Sequence, residues 1–207
     1  MIPSLAECLR LMDLYRMLDN IRNHSFMVAA IAELLAARLN TKRAAIDLQL
    51  TVAAAFLHDI GKTPCLNTSK NHAKMGRDIC VRHNFAELGP LVEQHVILDA
   101  DSYPAVELSA KEIVYYADKR VNHDQVVSLD ERMDYIQKRY GGYDDPIRYK
   151  AIKDNFQRCH AIEDGLFADL DFVPEQLAAR VVEYTSVFLV DVPFRISVKA
   201  PSECELK

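Results

Sequence analysis

The stretch from Thr51 to Pro64, TVAAAFLHDIGKTP, constrains this chain more than any other. An almost uninterrupted apolar run from Val52 to Leu57 is followed at once by His58 and Asp59, then by Ile60, Gly61 and Lys62. The run is long enough for a buried helix, and Gly61 with Pro64 supplies the stop expected at and beyond its C-terminus. Such a helix delivers an imidazole and a carboxylate to the inner end of a core element. Taking an ionised carboxylate out of water costs on the order of several kcal/mol unless a cation or a full set of hydrogen bonds offsets it. A metal ion is the first compensation to look for at Asp59.

The rest of the chain reads as helices that can surround this one. Ser4 and Glu7 form a capping-box pattern ahead of an amphipathic helix over 5–18. Asn20 is the expected cap of the next helix, which runs to Asn40 and carries Ile21, His24, Val28, Ile31 and Leu35 on one stripe. His24 therefore points inward. The organising helix is expected over about 43–60, with a loop over 63–70. Asn71 then caps a helix on which His72, Met75, Gly76, Ile79 and His83 share a face, Gly76 permitting close approach of a neighbour. Pro90 opens LVEQHVIL, placing Val92, His95 and Val96 near one face. After a loop over 99–108, Ser109 and Glu112 form a second capping box. On the helix that follows, Val114, Ala117, Asp118 and Val121 line one stripe, so Asp118 is a second inward carboxylate. Further helices are expected over 129–140, from Pro146 to about Leu170, and over 175–184; the remaining tail is expected to be irregular. The result is an all-α bundle, one domain over 1–145 with a C-terminal extension over 146–207 packed upon it.

Composition excludes several classes. Half of the 207 residues are hydrophobic and 27 % are charged, ordinary values for a globular chain that can bury a sizeable core. A net charge of -5 argues against a broad nucleic-acid footprint, while a small phosphorylated molecule needs only a local cluster of positive charge. Cys8, Cys65, Cys80, Cys159 and Cys204 are odd in number and form no C-x-x-C pair, which favours reduced thiols in a cytoplasmic protein. The N-terminus MIPSLAECLR carries early charges and lacks an apolar core, so no signal peptide is expected. No window approaches the roughly 18 to 20 apolar residues of a membrane span.

The inward ligand types are His24, His58, Asp59, His72, His95 and Asp118. A single histidine on an apolar face is more often a hydrogen-bonded core residue than a ligand. Six such residues on neighbouring helices point to one site. Imidazoles mixed with carboxylates suit Fe, Mn, Zn, Ni or Co better than Mg or Ca, which prefer oxygen shells.

The order H…HD…H…H…D, with LHDIGK as its second element, resembles the HD-domain metal-dependent phosphohydrolases, specifically their HDIG-containing bacterial members. The resemblance covers about 20–140 and rests on His24, FLHDIGK, HAKMG at His72, EQH at His95 and YADKR at Asp118. A second His-Asp pair, His123-Asp124, sits in a polar setting and is set aside. The resemblance implies that His24, His58, Asp59 and Asp118 hold one ion. His72 and His95 match the pair that binds a second ion in dinuclear members, with Asp59 as the bridge. One or two divalent ions are therefore expected.

Such a site implies hydrolysis of a phosphate ester, with a nucleotide or related small metabolite as substrate. Lys62, one turn past Asp59, is the leading candidate to assist Asp59 in catalysis and to bind the phosphate, with Lys119 and Arg120 as further substrate-binding candidates. Lys70 and Lys74 rank below them; His83 is expected to be structural or pocket-lining, and His160 unrelated. The GGYDDP segment at 141–146 lacks the HExxDGxGYP pattern of cyclic di-GMP phosphodiesterases, and likeness to the symmetrical diadenosine tetraphosphate hydrolases stops at ligand order. Two alternatives stay open: a di-iron oxygenase using the same ligands, and a non-catalytic nucleotide-binding sensor. A homodimer is left open, and no membrane partner is expected.

Overall fold

Helical spacing of apolar residues dominates the sequence, and the computed structural model, which describes residues 1–42, 46–99, 108–141, 143–184, 186 and 188, is all-α apart from one short hairpin. Three helices form its centre: α2 (Asp19–Asn40), α3 (Leu48–Leu57) and α7 (Ala110–Lys119), each packed on the other two. Their inner residues, among them Met27, Ile31, Leu35, Ala54, Phe56, Ile113 and Val114, are buried. On one side lie α4 (Lys62–Cys65), α5 (His72–Arg82) and α6 (Gly89–Gln94), with α6 reaching both α3 and α7. On the other, α8 (Leu129–Arg139) and α9 (Pro146–Phe167) pack together, and α9 also lies on α7. Helix α1 (Leu5–Leu14) rests on α3, and α10 (Leu177–Glu183) on α2. Between α7 and α8, β1 (Val121–Asn122) pairs antiparallel with β2 (Gln125–Val126), Val121 opposite Val126.

Capping residues account for most helix starts. Ser4, Ser109 and Ser128 each accept a backbone hydrogen bond in full capping boxes with Glu7, Glu112 and Glu131, and Asn71 accepts from Ala73 and Lys74. Several boundaries nevertheless differ from expectation, each for a tertiary or backbone reason. Helix α1 ends at Leu14 rather than near 18, because Arg16 takes a left-handed conformation and Met17 N–H closes back on the Met12 carbonyl. That is the usual helix-ending closure made without its usual glycine. Helix α2 starts from Leu18 rather than Asn20; the Leu18 N–H is taken by Thr63 Oγ1 at 3.3 Å, a contact from a distant segment. Helix α3 starts later than expected, at Asp47, whose carboxylate accepts from Leu50 at 2.9 Å, while Asn40 holds Ile46 just before it. The expected start, Arg43, lies outside the described residues.

The end of α3 departs most from expectation. Gly61 does not end the helix in a left-handed turn; its φ is -79°. The chain tightens through i to i+3 bonds from Ile60 to Leu57 and from Lys62 to Asp59, then continues into α4, inside the segment expected to be loop. Glycine is needed here for proximity: a Cβ at Gly61 would lie 2.1 Å from the His72 carbonyl oxygen and 2.8 Å from Gly76 N. The start of α5 is thereby held directly against the turn that carries Asp59.

Candidate metal centre

Each expected ligand reaches the centre from a different element. His24 comes from the first turns of α2, His58 and Asp59 from the turn after α3, and His72 from the first position of α5. His95 follows α6 and Asp118 lies in the last turn of α7. His24, His58, Asp59, His95 and Asp118 are buried, and His72 is partly open to solvent. Around Asp59 the distances are short: Oδ2 lies 3.2 Å from His58 Nε2 and 3.8 Å from His24 Nε2, while Oδ1 lies 3.3 Å from His95 Nε2 and 3.7 Å from His72 Nε2. Asp118 Oδ1 sits 3.0 Å from His24 Nε2 and 3.6 Å from His58 Nε2. The two nearest histidines of the second pair, His72 and His95, bring their Nε2 atoms to 3.3 Å of each other.

The far side of each ring explains this convergence. Nδ1 of His24 donates to the His123 carbonyl (2.9 Å), that of His58 to the Ala55 carbonyl (2.7 Å) and that of His95 to the Val92 carbonyl (2.6 Å). A carbonyl oxygen only accepts, so Nδ1 carries a proton, and Nε2 is the ring nitrogen that faces inward, with a lone pair to offer in the neutral ring. Hydrogen bonding of the outer nitrogen to a backbone carbonyl is the arrangement that orients histidine ligands on metals. His58 Nε2 and both Asp59 oxygens are buried without a hydrogen-bond partner. Lys62 Nζ does stand 2.6 Å from Asp59 Oδ2, as an ion pair without hydrogen-bond geometry.

Electrostatics point the same way. Burial works to raise the Asp59 carboxyl, but the Lys62 ammonium and the His58 and His95 imidazoles outweigh it and hold Asp59 well below the usual carboxylate range. Asp118 is held low likewise, by Lys119, His24 and His58 against burial. Burial pushes His24 and His95 down despite the carboxylates beside them. His72 is lowered to about 4, chiefly by burial, with His95 and Lys62 adding to it. His58 alone among these four is raised, because Asp59 and Asp118 overcome its burial. Two anions stand among four imidazoles, three of which burial pushes towards the neutral form that has a lone pair to donate. His24, His58 and Asp118 bring donor atoms within 4.8 Å of one another, as do His58, Asp59 and His95. The mixed nitrogen and oxygen donors fit a divalent transition-metal ion.

The cations separate into three kinds. Lys62 stands at the rim of the site with its side chain 34 % exposed, and Asp59 raises its ammonium above the usual range in spite of burial. Lys119, expected to contact substrate, is buried behind the ligands, on Asp118 Oδ2 (2.9 Å) and the His95 carbonyl (2.6 Å). Arg120, given the same expectation, turns away into the body of the fold. It bonds Tyr116 Oη, Glu163 Oε2 (2.8 Å) and the carbonyls of Val127 (2.7 Å) and Pro174 (2.9 Å). These partners make Arg120 a strut joining α7 to α9. Lys70 and Lys74 are exposed. His83 bonds the Tyr15 hydroxyl (3.0 Å) and His160 lies near Asp130, both apart from the centre.

One contributor has no signal in its side chain. His123, set aside with Asp124, sits at the hairpin turn with φ +57°, and its main-chain carbonyl fixes the His24 ring. The Ala55 and Val92 carbonyls were more accessible to inference, since each lies three residues before a histidine at a helix end.

Comparison with known proteins agrees with this geometry. Residues 21–122, a stretch that includes all six expected ligand positions, match the HD domain family. The chain is 24 % identical over 162 residues to a ribonuclease Y of Acetivibrio thermocellus, covering 77 % of this chain and 28 % of that protein. It is 29 % identical over 150 residues to a tRNA (cytidine(56)-2'-O)-methyltransferase of Thermoplasma volcanium, covering 67 % of this chain and 42 % of the relative. Against the enzyme of the same name from Picrophilus torridus it is 26 % identical over 182 residues, covering 82 % and 51 %. The chain thus spans between 28 % and 51 % of the length of these curated relatives. No solved structure gives a significant match. Among the described residues, no helix is long and apolar enough to cross a membrane.

Proposed function

We propose that this chain is a metal-dependent phosphohydrolase of the HDIG-containing kind, acting on a phosphate ester of a nucleotide or related small phosphorylated metabolite. The observation that carries the proposal is the convergence of His58 Nε2 and both Asp59 oxygens, buried without a hydrogen-bond partner, among imidazoles three of which have their outer nitrogens tied to backbone carbonyls. His24, His58, Asp59 and Asp118 would hold one ion. His72 and His95 would hold a second, with Asp59 shared, since its Oδ2 faces the first histidine pair and its Oδ1 the second. Fe, Mn, Zn, Ni and Co all suit these donors. A divalent ion bound there supplies a water ionised near neutral pH and neutralises phosphoryl oxygens.

The protein's own groups do the rest. Asp118 and Asp59 stay anionic and aim charge inward, and the backbone carbonyls keep three ring lone pairs pointed at the centre. Lys62, at the rim beside Asp59, offers an ammonium to a phosphate oxygen where charge develops during in-line attack. His72, partly open, marks the side from which substrate enters. Acidic net charge favours a small substrate over a long polyanion, and four buried free thiols, at Cys8, Cys65, Cys80 and Cys159, suit the cytoplasm.

The test is metal analysis of the protein purified without chelators, followed by assay against phosphomonoesters, dinucleotides, cyclic nucleotides and a short single-stranded RNA. The RNA is included because the relatives bear the names of RNA-directed enzymes. Hydrolysis of a small phosphate ester that vanishes in His58→Ala and Asp59→Ala together with bound metal is the expected result. Full metal loading with no turnover across the set would favour a binding module, and oxygen-dependent turnover with a mixed-valent iron pair would favour an oxygenase.

A further inference from the structure

Lys119 follows Asp118 directly, which on a helix turns it about 100° from the ligand face. Its ammonium nevertheless returns to the ligands: Nζ lies 2.9 Å from Asp118 Oδ2 and 2.6 Å from the carbonyl of His95. The side chain is 4 % exposed, and Nζ stands 4.5 Å from the centre of the Tyr115 ring. Tyr115 in turn donates its hydroxyl to Asn155 on α9, and Asn155 Nδ2 donates to the Val96 carbonyl at 3.1 Å. Arg158, one turn on, reaches the Leu98 carbonyl at 3.3 Å. Three carbonyls just past α6 are therefore held by side chains from α7 and α9, and the one belonging to His95 is held by a charge.

The two oxygens of Asp118 consequently have separate surroundings. Oδ1 faces the His24 and His58 Nε2 atoms, whereas Oδ2 faces the ammonium. We propose that Lys119 is a positioning residue that limits Asp118 to one-oxygen donation, leaves a coordination position free for water or substrate, and ties the His95 main chain to the same charge. The proposal rests on the metal-centre reading above and adds to it a role for a lysine that touches neither ion nor substrate. A buried ammonium beside a ligand carboxylate also competes with an incoming cation for that carboxylate's charge. Removing it releases the second oxygen and the whole anion to the ion. A residue that only filled space would behave oppositely, since its loss would loosen the site and weaken metal binding.

Two neutral variants of the full chain test this: Lys119→Met, which keeps the packing on Tyr115, and Lys119→Gln, which also keeps a donor for the His95 carbonyl. Cobalt and zinc are titrated into each, beginning with wild type. Wild type that binds neither ion refutes the metal-centre reading itself, an outcome distinct from failure of the present proposal. With wild type competent, the expected result in both variants is metal affinity higher by about tenfold or more. It comes with weaker cobalt absorption in the visible as the coordination number rises, and with a larger metal-induced rise in Tm than in wild type. Equal or weaker affinity overturns the proposal, as does tighter binding with an unchanged cobalt spectrum. Failure of both variants to fold in saturating zinc overturns it too, because the ion should then neutralise Asp118 in place of the ammonium.

Discussion

Gly61→Ala asks whether the glycine of LHDIGK is there to bring two backbones together. A Cβ at this position would lie 2.1 Å from the His72 carbonyl oxygen and 2.8 Å from Gly76 N, and neither neighbour is a side chain that could rotate aside. Restoring ordinary van der Waals separation, which begins near 3.4 Å, requires the start of α5 to retreat by about 1.3 Å. Overpacking of this kind costs about 1 to 3 kcal/mol, with the upper end expected where only backbone can yield. For a chain of this size that corresponds to a fall in Tm of roughly 2 to 12 °C. The same retreat carries His72 away from Asp59 Oδ1, from which its Nε2 is now 3.7 Å. Loss of the second ion is thus expected while the first, none of whose expected ligands lies on α5, remains. Differential scanning calorimetry of the metal-free protein and metal stoichiometry of the loaded protein read the two effects separately. Gly76→Ala is the comparison: its Cβ would meet Val92 Cγ1 at 2.7 Å, a side-chain atom that can shift, so a smaller loss is expected. Wild-type Tm and two retained ions in Gly61→Ala would refute the close-approach account.

Other expectations follow from the same geometry. Lys62→Ala should lower kcat by about 10²-fold with metal content unchanged by mass spectrometry; loss of metal in that variant would assign Lys62 to the integrity of the centre instead. Arg120→Met removes the buried partner of Glu163 and should destabilise by about 3 kcal/mol or more in denaturant titration. Because Arg120 points away from the ligands, KM of the folded fraction should stay at the wild-type value, and a raised KM would restore it to the substrate. Burial pushes the Cys8 and Cys80 thiols up to about 12, from an ordinary value near 9. Above pH 9 the unfolded chain loses protons that the folded chain keeps, so stability is full below that pH and falls as pH rises towards 12. Each such thiol contributes a slope of about 1.4 kcal/mol per pH unit. Urea titrations between pH 8 and 11 that show no decline would contradict this, as would rapid labelling of either thiol in the native protein.

Much of the fold was legible because local rules and burial agreed. The apolar spacing along α2, α3, α5 and α7, and the serine and asparagine caps at Ser4, Asn71 and Ser109, are properties of short segments. The six ligand types were legible for a related reason: a histidine or carboxylate at a position whose neighbours are all core must be compensated, and the sequence alone exposes that conflict. What it could not expose were features whose cause lies in a distant segment. The Leu18 start of α2 depends on Thr63, and the left-handed Arg16 carries no glycine to announce it.

The division is sharpest at the centre itself. Residue order and periodicity determined that His24, His58, Asp59, His72, His95 and Asp118 face inward, because helical phase is set within a few residues. Only the tertiary structure decided that Asp59 turns one oxygen to each histidine pair, that a main-chain carbonyl at His123 steers His24, and that Lys119 lies behind Asp118 while Arg120 leaves for Glu163. Those choices are made by distances between elements far apart in sequence, and neighbouring lysine and arginine residues of the same charge take opposite directions according to which partner the packing of α7 against α6 and α9 brings within reach.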